Sequence, residues 1–107
     1  MTPEQYCQDK AAKSGSSFYY SFLFLPPERR HAITALYAFC REVDDVVDEH
    51  TDTELARTTL AWWRKEIART FAGSAQHPVA QALIPVVRAY KLPQNHFQDI
   101  IDGMEMD

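Results

Sequence analysis

Apolar residues recur every three or four positions from Pro27 to Glu49, a stretch with no glycine and no proline after its first residue. This spacing places them on one face of an α-helix. The positions are Ile33, Leu36, Cys40, Val43 and Val47. Pro26 and Pro27 disfavour helix before them and suit a first turn, where Glu28 supplies a favoured negative charge. The pattern predicts a long helix with this face buried.

Two shorter segments precede the long helix. Thr2 followed by Pro3 is a typical helix start, because Thr caps the N-terminus and Pro fits the first turn. It predicts a helix to about Lys13. The small residues Ser14–Ser17 interrupt that helix, and the aromatic and aliphatic segment Phe18–Leu25 predicts a short buried helix.

Three further helices are predicted downstream. Thr51 or Asp52 caps the first of them, and Gly73 ends it. Its apolar positions are Ala56, Leu60, Trp63, Ile67 and Phe71. The next helix runs from Val79 to about Lys91, and the last begins at Gln94.

Composition indicates a single small all-α domain. The chain has 107 residues, of which 46% are hydrophobic and three are glycine, and no segment alternates apolar and polar residues as a strand does. A net charge of −4 argues against a nucleic-acid partner.

The cysteines and the N-terminus bear on the compartment. Cys7 and Cys40 show no disulfide or zinc spacing, which suits a reducing environment. The first residues lack a signal-peptide pattern, and no apolar run is long enough to span a bilayer. We therefore expect a cytoplasmic protein, and peripheral contact with the inner face of a membrane stays open.

A second stripe follows the predicted buried face one position along the chain. Tyr37, Arg41, Asp44 and Asp48 share its spacing and lie about 100° around the helix from it. Side chains at the edge of a buried face are placed to point into a cavity rather than into bulk water. The stripe is therefore the predicted functional face of the long helix.

The end of this helix is crowded with acids. Five carboxylates fall within eight residues, and Arg41 is the only nearby cation; the acids are Glu42, Asp44, Asp45, Asp48 and Glu49. Like charges four apart cost about 0.2–0.5 kcal/mol each on an exposed helix. A divalent cation would offset this repulsion, and carboxylates alone suit Mg²⁺, Mn²⁺ or Ca²⁺. A Mg²⁺–diphosphate site and a solvated acidic helix end are both compatible with the pattern.

Three motifs resemble the squalene/phytoene synthases, a family of head-to-head prenyltransferases. They are Ser17-Phe18-Tyr-Tyr-Ser-Phe-Leu-Phe-Leu-Pro26, Ala35-Leu-Tyr37-Ala-Phe-Cys-Arg41 and Asp44-Asp45-Val-Val-Asp48. The resemblance covers essentially the whole chain. Within the family it points to the bacterial presqualene diphosphate synthases of hopanoid pathways. It implies the all-α helical bundle of the class I isoprenoid synthases.

The resemblance also implies an activity and a metal site. Two farnesyl diphosphates would condense to presqualene diphosphate, with Mg²⁺, or Mn²⁺ in its place, held by Asp44 and Asp48. Asp45 and Asp107 are further candidate ligands. NADPH would be needed only if the product is reduced to squalene.

Other residues are implied to contact substrate. Arg41 would bind phosphate or hold the carboxylates, and Tyr37 would point at the reacting carbons. Phe18 would line the pocket for the prenyl tail. The loop residues near a diphosphate would be Ser14, Ser16 and Ser17.

Three alternatives remain open. The aspartates also fit the DDxxD pattern of head-to-tail prenyl synthases and terpene cyclases, although the other two motifs favour the head-to-head family. A phytoene synthase that uses geranylgeranyl diphosphate would share every motif. A non-catalytic assembly subunit of the same fold is disfavoured because the aspartates are intact.

The length of the chain implies an incomplete domain. Family members are more than twice as long and carry a second aspartate motif that this sequence lacks. We therefore expect residues 1–107 to form a single, incomplete helical domain, the N-terminal part of a larger synthase, without activity by itself.

Overall fold

The computed structural model describes residues 1–14, 17–49 and 52–106, which form six helices and no strand. The helices are α1 (Pro3–Lys13), α2 (Ser17–Phe22), α3 (Pro27–Glu49), α4 (Thr53–Ala72), α5 (Pro78–Ala89) and α6 (Gln94–Met106). The predicted all-α fold is confirmed. None of the described helices combines the length and apolar character needed to cross a membrane.

Local capping explains where the helices begin and end. Thr2 forms a capping box with Gln5 at the start of α1, and Asp52 caps α4 by accepting a hydrogen bond from the Glu54 backbone N–H. Gly73 ends α4 in the left-handed conformation, with φ of 82°, which glycine adopts without steric cost. The predicted starts of α1, α3 and α4, and the end of α4, are confirmed.

The core lies where α1, α4, α5 and α6 pack around one side of α3. Phe39 is fully buried and meets the rings of Trp63 and Phe97 edge-on, with ring centroids 5.9 and 5.4 Å away. Such edge-to-face pairs add about 0.5–1.5 kcal/mol each to the burial itself. Other large, fully buried side chains are Leu60, Ile67, Leu83 and Ile101.

The buried face of α3 differs from the predicted one. The predicted residues are only partly buried except for Val43; the partly buried ones are Ile33, Leu36, Cys40 and Val47. The residue before each of these four lies in the core, so the buried face is turned by about 100°. Alanines on this face, at positions 32, 35 and 38, leave room for neighbouring backbones. As a result α1 and α5 dock here rather than against the bulkier residues.

The aromatic segment before α3 is also less buried than predicted. The helix ends at Phe22, and the chain continues to Pro26 in turns whose hydrogen bonds span three residues. Tyr19 is buried, but Tyr20 is exposed and Phe24 is 90% exposed. The expectation of one buried helix to Leu25 is therefore wrong: Pro26 disfavours helix in the residue before it, and the short helix that forms buries Tyr19 but leaves Tyr20 exposed.

Candidate functional site

The polar stripe of α3 lies away from the core. Tyr37 and Phe39 are two residues apart, about 200° around the helix, so the stripe and the core face nearly opposite directions. Tyr37, Arg41 and Asp44 are half-buried, and Asp48 is exposed. The angle around the helix axis between the stripe and the buried face is therefore larger than the predicted 100°, because the observed buried face is turned away from the stripe.

The end of α1 meets the beginning of the stripe. The Ser14 and Tyr37 hydroxyl oxygens are 3.1 Å apart, and Ser14 Oγ also donates to the Ala11 carbonyl at 2.6 Å. Either hydroxyl can be the donor between Ser14 and Tyr37. The Tyr37 ring packs edge-on against Phe22, with centroids 5.7 Å apart. Two residues that the sequence assigned to substrate contact are thus brought together.

Arg41 is held by two consecutive aspartates. Its Nη1 donates to Asp44 Oδ2 at 3.1 Å, and its Nη2 lies 3.5 Å from Asp45 Oδ1. Its Nε atom is buried and has no hydrogen-bond partner among the described residues. A buried donor without an acceptor is costly, so Arg41 is poised to pair with an anion at that atom.

Asp45 points to α1 rather than to open solvent. Lys10 Nζ lies 2.5 Å from Asp45 Oδ2 and 3.8 Å from Glu42 Oε1. Glu42 also accepts a hydrogen bond from the Tyr6 hydroxyl at 2.8 Å. Burial, followed by this bond to Glu42, raises the pKa of Tyr6 to about 12, so the hydroxyl stays protonated as a donor.

Sequence reasoning missed Lys10, Tyr6 and Glu42 as parts of the site. Tyr6 and Lys10 stand one turn apart on α1, beside the buried Cys7 and Ala11, so the docking of that apolar pair carries them onto α3. The spacing on α1 could have suggested a shared face. The pairing across 35 positions with α3 could not be read from the pattern of either helix.

Several predicted site residues cannot be placed. Ser16 and Asp107 lie outside the described residues. Ser17 and Phe18 lie in the first turn of α2, but their side chains are outside the described part. Their predicted roles stay predictions.

The stripe offers a metal two carboxylates rather than a cage. Within the described ranges, no three His, Cys, Asp or Glu side chains are grouped to share an ion. Mg²⁺ needs only one or two protein carboxylates when water and phosphate fill its other positions. Asp44 and Asp48, one turn apart and accessible, meet that need. Arg41 Nε, which no described residue bonds, suits the accompanying anion. The donor set therefore fits a Mg²⁺–phosphate group.

A separate cleft opens on another side of α3. It has a volume of about 640 Å³ and lies between α1, α2, α3 and α5. Its apolar lining includes Cys7, Ala32, Ala35 and Val86, and no residue of the polar stripe lines it. Burial raises the pKa of Cys7 to about 12, which keeps this thiol protonated and unreactive. The cleft is therefore distinct from the predicted site.

Comparison with known proteins places these features in a family. The sequence matches the model of squalene/phytoene synthase over residues 11–107. It is 39% identical to the presqualene diphosphate synthases of Rhodopseudomonas palustris and Zymomonas mobilis, over 99% and 97% of the chain. It is 33% identical to the 15-cis-phytoene synthase of Synechococcus elongatus, over 94% of the chain. These alignments cover 37%, 37% and 33% of the relatives, so the chain spans about a third of their length. No solved structure matches the chain significantly.

Proposed function

Because the chain belongs to the squalene/phytoene synthase family, we propose that the complete protein joins two farnesyl diphosphates head to head to make presqualene diphosphate. The observation that carries this proposal is the stripe on α3, where accessible carboxylates adjoin an arginine whose buried Nε has no hydrogen-bond partner in the described part of the chain. The identity to relatives named presqualene diphosphate synthase supports this product over phytoene. The hopanoid pathway is the proposed context.

In the proposed reaction, one farnesyl diphosphate loses its diphosphate and forms an allylic cation. The double bond of the second molecule attacks that cation, and loss of a proton closes a cyclopropane. The product retains the second diphosphate. Mg²⁺, or Mn²⁺, bound by Asp44 and Asp48 would supply neutralisation of the charge on the leaving diphosphate.

The residues of the stripe have separate roles. Arg41 Nε binds a phosphate oxygen, while its two terminal nitrogens stay on Asp44 and Asp45. The Tyr37 hydroxyl faces the reacting carbons, and its hydrogen bond with Ser14 fixes its direction. Both interactions orient charge before the reaction starts, which is how fixed dipoles lower a barrier.

The part of the chain described here covers only one side of such a site. Most of its helices pack on the opposite side of α3 from the stripe, and only α1 and α2 reach the stripe, at Tyr37. A cation formed at the open stripe would meet water, so we propose that the 107 residues alone do not turn over. We place the complete protein in the cytoplasm, with prenyl diphosphates as its partners.

The test uses the complete protein with Mg²⁺ and either farnesyl or geranylgeranyl diphosphate, without NADPH, followed by mass spectrometry. We expect presqualene diphosphate from the shorter substrate. Phytoene from the longer substrate would leave the family assignment intact and change the proposed substrate to geranylgeranyl diphosphate. This is the second candidate function, because phytoene synthases are among the relatives. A parallel reaction with NADPH shows whether squalene forms. No product from a folded protein would favour the non-catalytic alternative.

A further inference from the structure

A chain of four alternating charges links α1 to the acidic stripe. Lys10 Nζ meets Asp45 at 2.5 Å, Asp45 meets Arg41 Nη2 at 3.5 Å, and Arg41 Nη1 meets Asp44 at 3.1 Å. The two ends of this chain lie on different helices. Two side chains, Asp45 and Arg41, therefore lie between Lys10 and Asp44.

The charges along this chain are unequally compensated. Asp45 faces two cations and its side chain is 22% exposed, whereas Asp44 faces one and is 38% exposed. A carboxylate already shared by a lysine and an arginine binds a further cation poorly, because its negative charge is already compensated. Among the described residues, Asp44 Oδ1 has no hydrogen-bond partner, and Asp44 is the more accessible of the two aspartates. The arrangement separates a ligand position from a supporting one.

The orientation of Arg41 depends on both aspartates. A guanidinium is planar, so two carboxylates on its terminal nitrogens define where Nε points. If Asp45 were released from α1, it could rotate away, and Arg41 would be held by Asp44 alone. The buried Nε would then no longer have a fixed direction, and Arg41 would no longer hold Asp44 in one position.

The position of Lys10 is itself determined by packing. Cys7 and Ala11, on the same side of α1, are fully buried against the core. Tyr6 donates to Glu42, which also lies 3.8 Å from Lys10. Apolar docking and these polar contacts together set the register of α1 on α3.

We propose that Lys10 is a positioning residue for the metal and phosphate site. It holds Asp45, Asp45 orients Arg41, and Arg41 orients Asp44. Asp45 is thus a link in this chain and not a metal ligand. The inference rests on the proposed function, since it concerns the same site. Groups that orient metal ligands typically change metal affinity by about 10- to 100-fold when removed.

The test measures the Mg²⁺ concentration for half-maximal activity of the complete protein, with kcat and thermal stability, in Lys10→Met. We expect that concentration to rise about tenfold. The direction of the change distinguishes two explanations. A lysine that acted only through its positive charge would repel Mg²⁺, so its removal would lower the Mg²⁺ concentration needed for half-maximal activity. Lys10→Arg, which keeps the charge near Asp45, should lie closer to the wild type. Lys65→Met, at an exposed lysine on α4, is the matched control.

A double variant distinguishes the roles of Asp45. If Lys10 acts through Asp45, Lys10→Met/Asp45→Asn requires no more Mg²⁺ than Asp45→Asn alone. Additive effects, or a Lys10→Met variant that loses only thermal stability, would overturn the inference and leave the proposed function intact. If Lys10→Met does not fold, the comparison of Lys10→Arg and Asp45→Asn with the wild type decides in the same way. A folded wild type that makes no product would overturn the proposed function, and this inference with it.

Discussion

At the scale of single residues, Asp44 and Asp48 differ from their acidic neighbours by their accessibility. Asp45 and Glu42 are engaged with Lys10, whereas Asp48 is exposed and Asp44 is the more exposed partner of Arg41. The pattern of five acids did not distinguish these roles, because it records spacing and not partners. The assignment of Asp44 and Asp48 as the ligand pair stays a prediction, with which their accessibility is compatible.

We predict that Asp44→Asn or Asp48→Asn lowers turnover by on the order of 100-fold or more, because a neutral amide removes a charge that would hold the cation. The helix content should be unchanged, since neither side chain is in the core. Product analysis and circular dichroism of the complete protein measure the two effects. Asp99→Asn, at an exposed position on α6, is the isosteric control. Unchanged turnover in both variants would refute the metal assignment.

At the scale of helices, α4 and α5 are joined through a buried carboxylate. Glu66 of α4 is fully buried and accepts hydrogen bonds from the backbone N–H groups of Gln76 and His77, at 2.7 and 2.5 Å, and from Arg69. Burial alone would raise the pKa of Glu66, but these bonds outweigh it and lower the pKa below its usual value. A negative charge is also favoured near the N-terminus of α5.

We predict that Glu66→Gln lowers the free energy of unfolding by about 1–3 kcal/mol, because its amide hydrogens would face donors. A carboxylate with a lowered folded pKa stabilises above its unfolded pKa of about 4.3 and loses this contribution as the pH falls below it. The wild type should therefore lose more stability than the variant between neutral and acid pH. Urea unfolding at two pH values measures this difference, with exposed Glu54→Gln on the same helix as control. Equal losses in both proteins would contradict the assignment.

His77 has a defined role that its sequence position only partly suggested. Its place before Pro78 indicates only the start of a helix. Its Nδ1 accepts a hydrogen bond from the Val79 backbone N–H at 3.1 Å and caps α5, while its ring packs against Tyr6 and Trp63. Burial, with a smaller effect of Lys10, lowers the pKa of His77 despite the opposing charges of Glu42 and Glu66. The neutral imidazole is the form that can accept this bond.

Because the folded pKa of His77 is lowered, its contribution to stability is present above the unfolded pKa of about 6.5 and declines as the pH falls through that value. We predict that His77→Asn, which keeps a capping oxygen, reduces the loss of unfolding free energy between pH 7.5 and pH 5.5. Urea unfolding at both values tests this, and His96→Asn, at an exposed histidine, should behave as the wild type. An unaltered pH dependence in His77→Asn would argue against the cap as its origin.

At the scale of the whole molecule, the two sides of α3 differ in how far other helices cover them. One side is packed by four helices, and the other carries the polar stripe with partly buried apolar residues beside it. The chain covers about a third of the length of the relatives it matches. This division explains why a well-packed core coexists with an open candidate site.

Local sequence was sufficient for the helices, apart from the extent of α2, and for the order of the site residues. Thr2, Pro27, Asp52 and Gly73 act on their own neighbours, so the boundaries they predict hold in any fold that keeps those helices. The 3-4 spacing likewise places the four stripe residues on one face, because that placement follows from helical geometry alone. They are Tyr37, Arg41, Asp44 and Asp48.

The tertiary structure decided which face of α3 is buried and which charges are paired. Small alanines admit neighbouring helices more closely than the bulky residues that dominate a hydrophobicity pattern, so the core formed one residue away from the predicted face. The contacts of Lys10 with Asp45, and of Glu66 with the His77 backbone, join separate helices. Their existence depends on how whole helices dock, and periodicity within one helix carries no information about that.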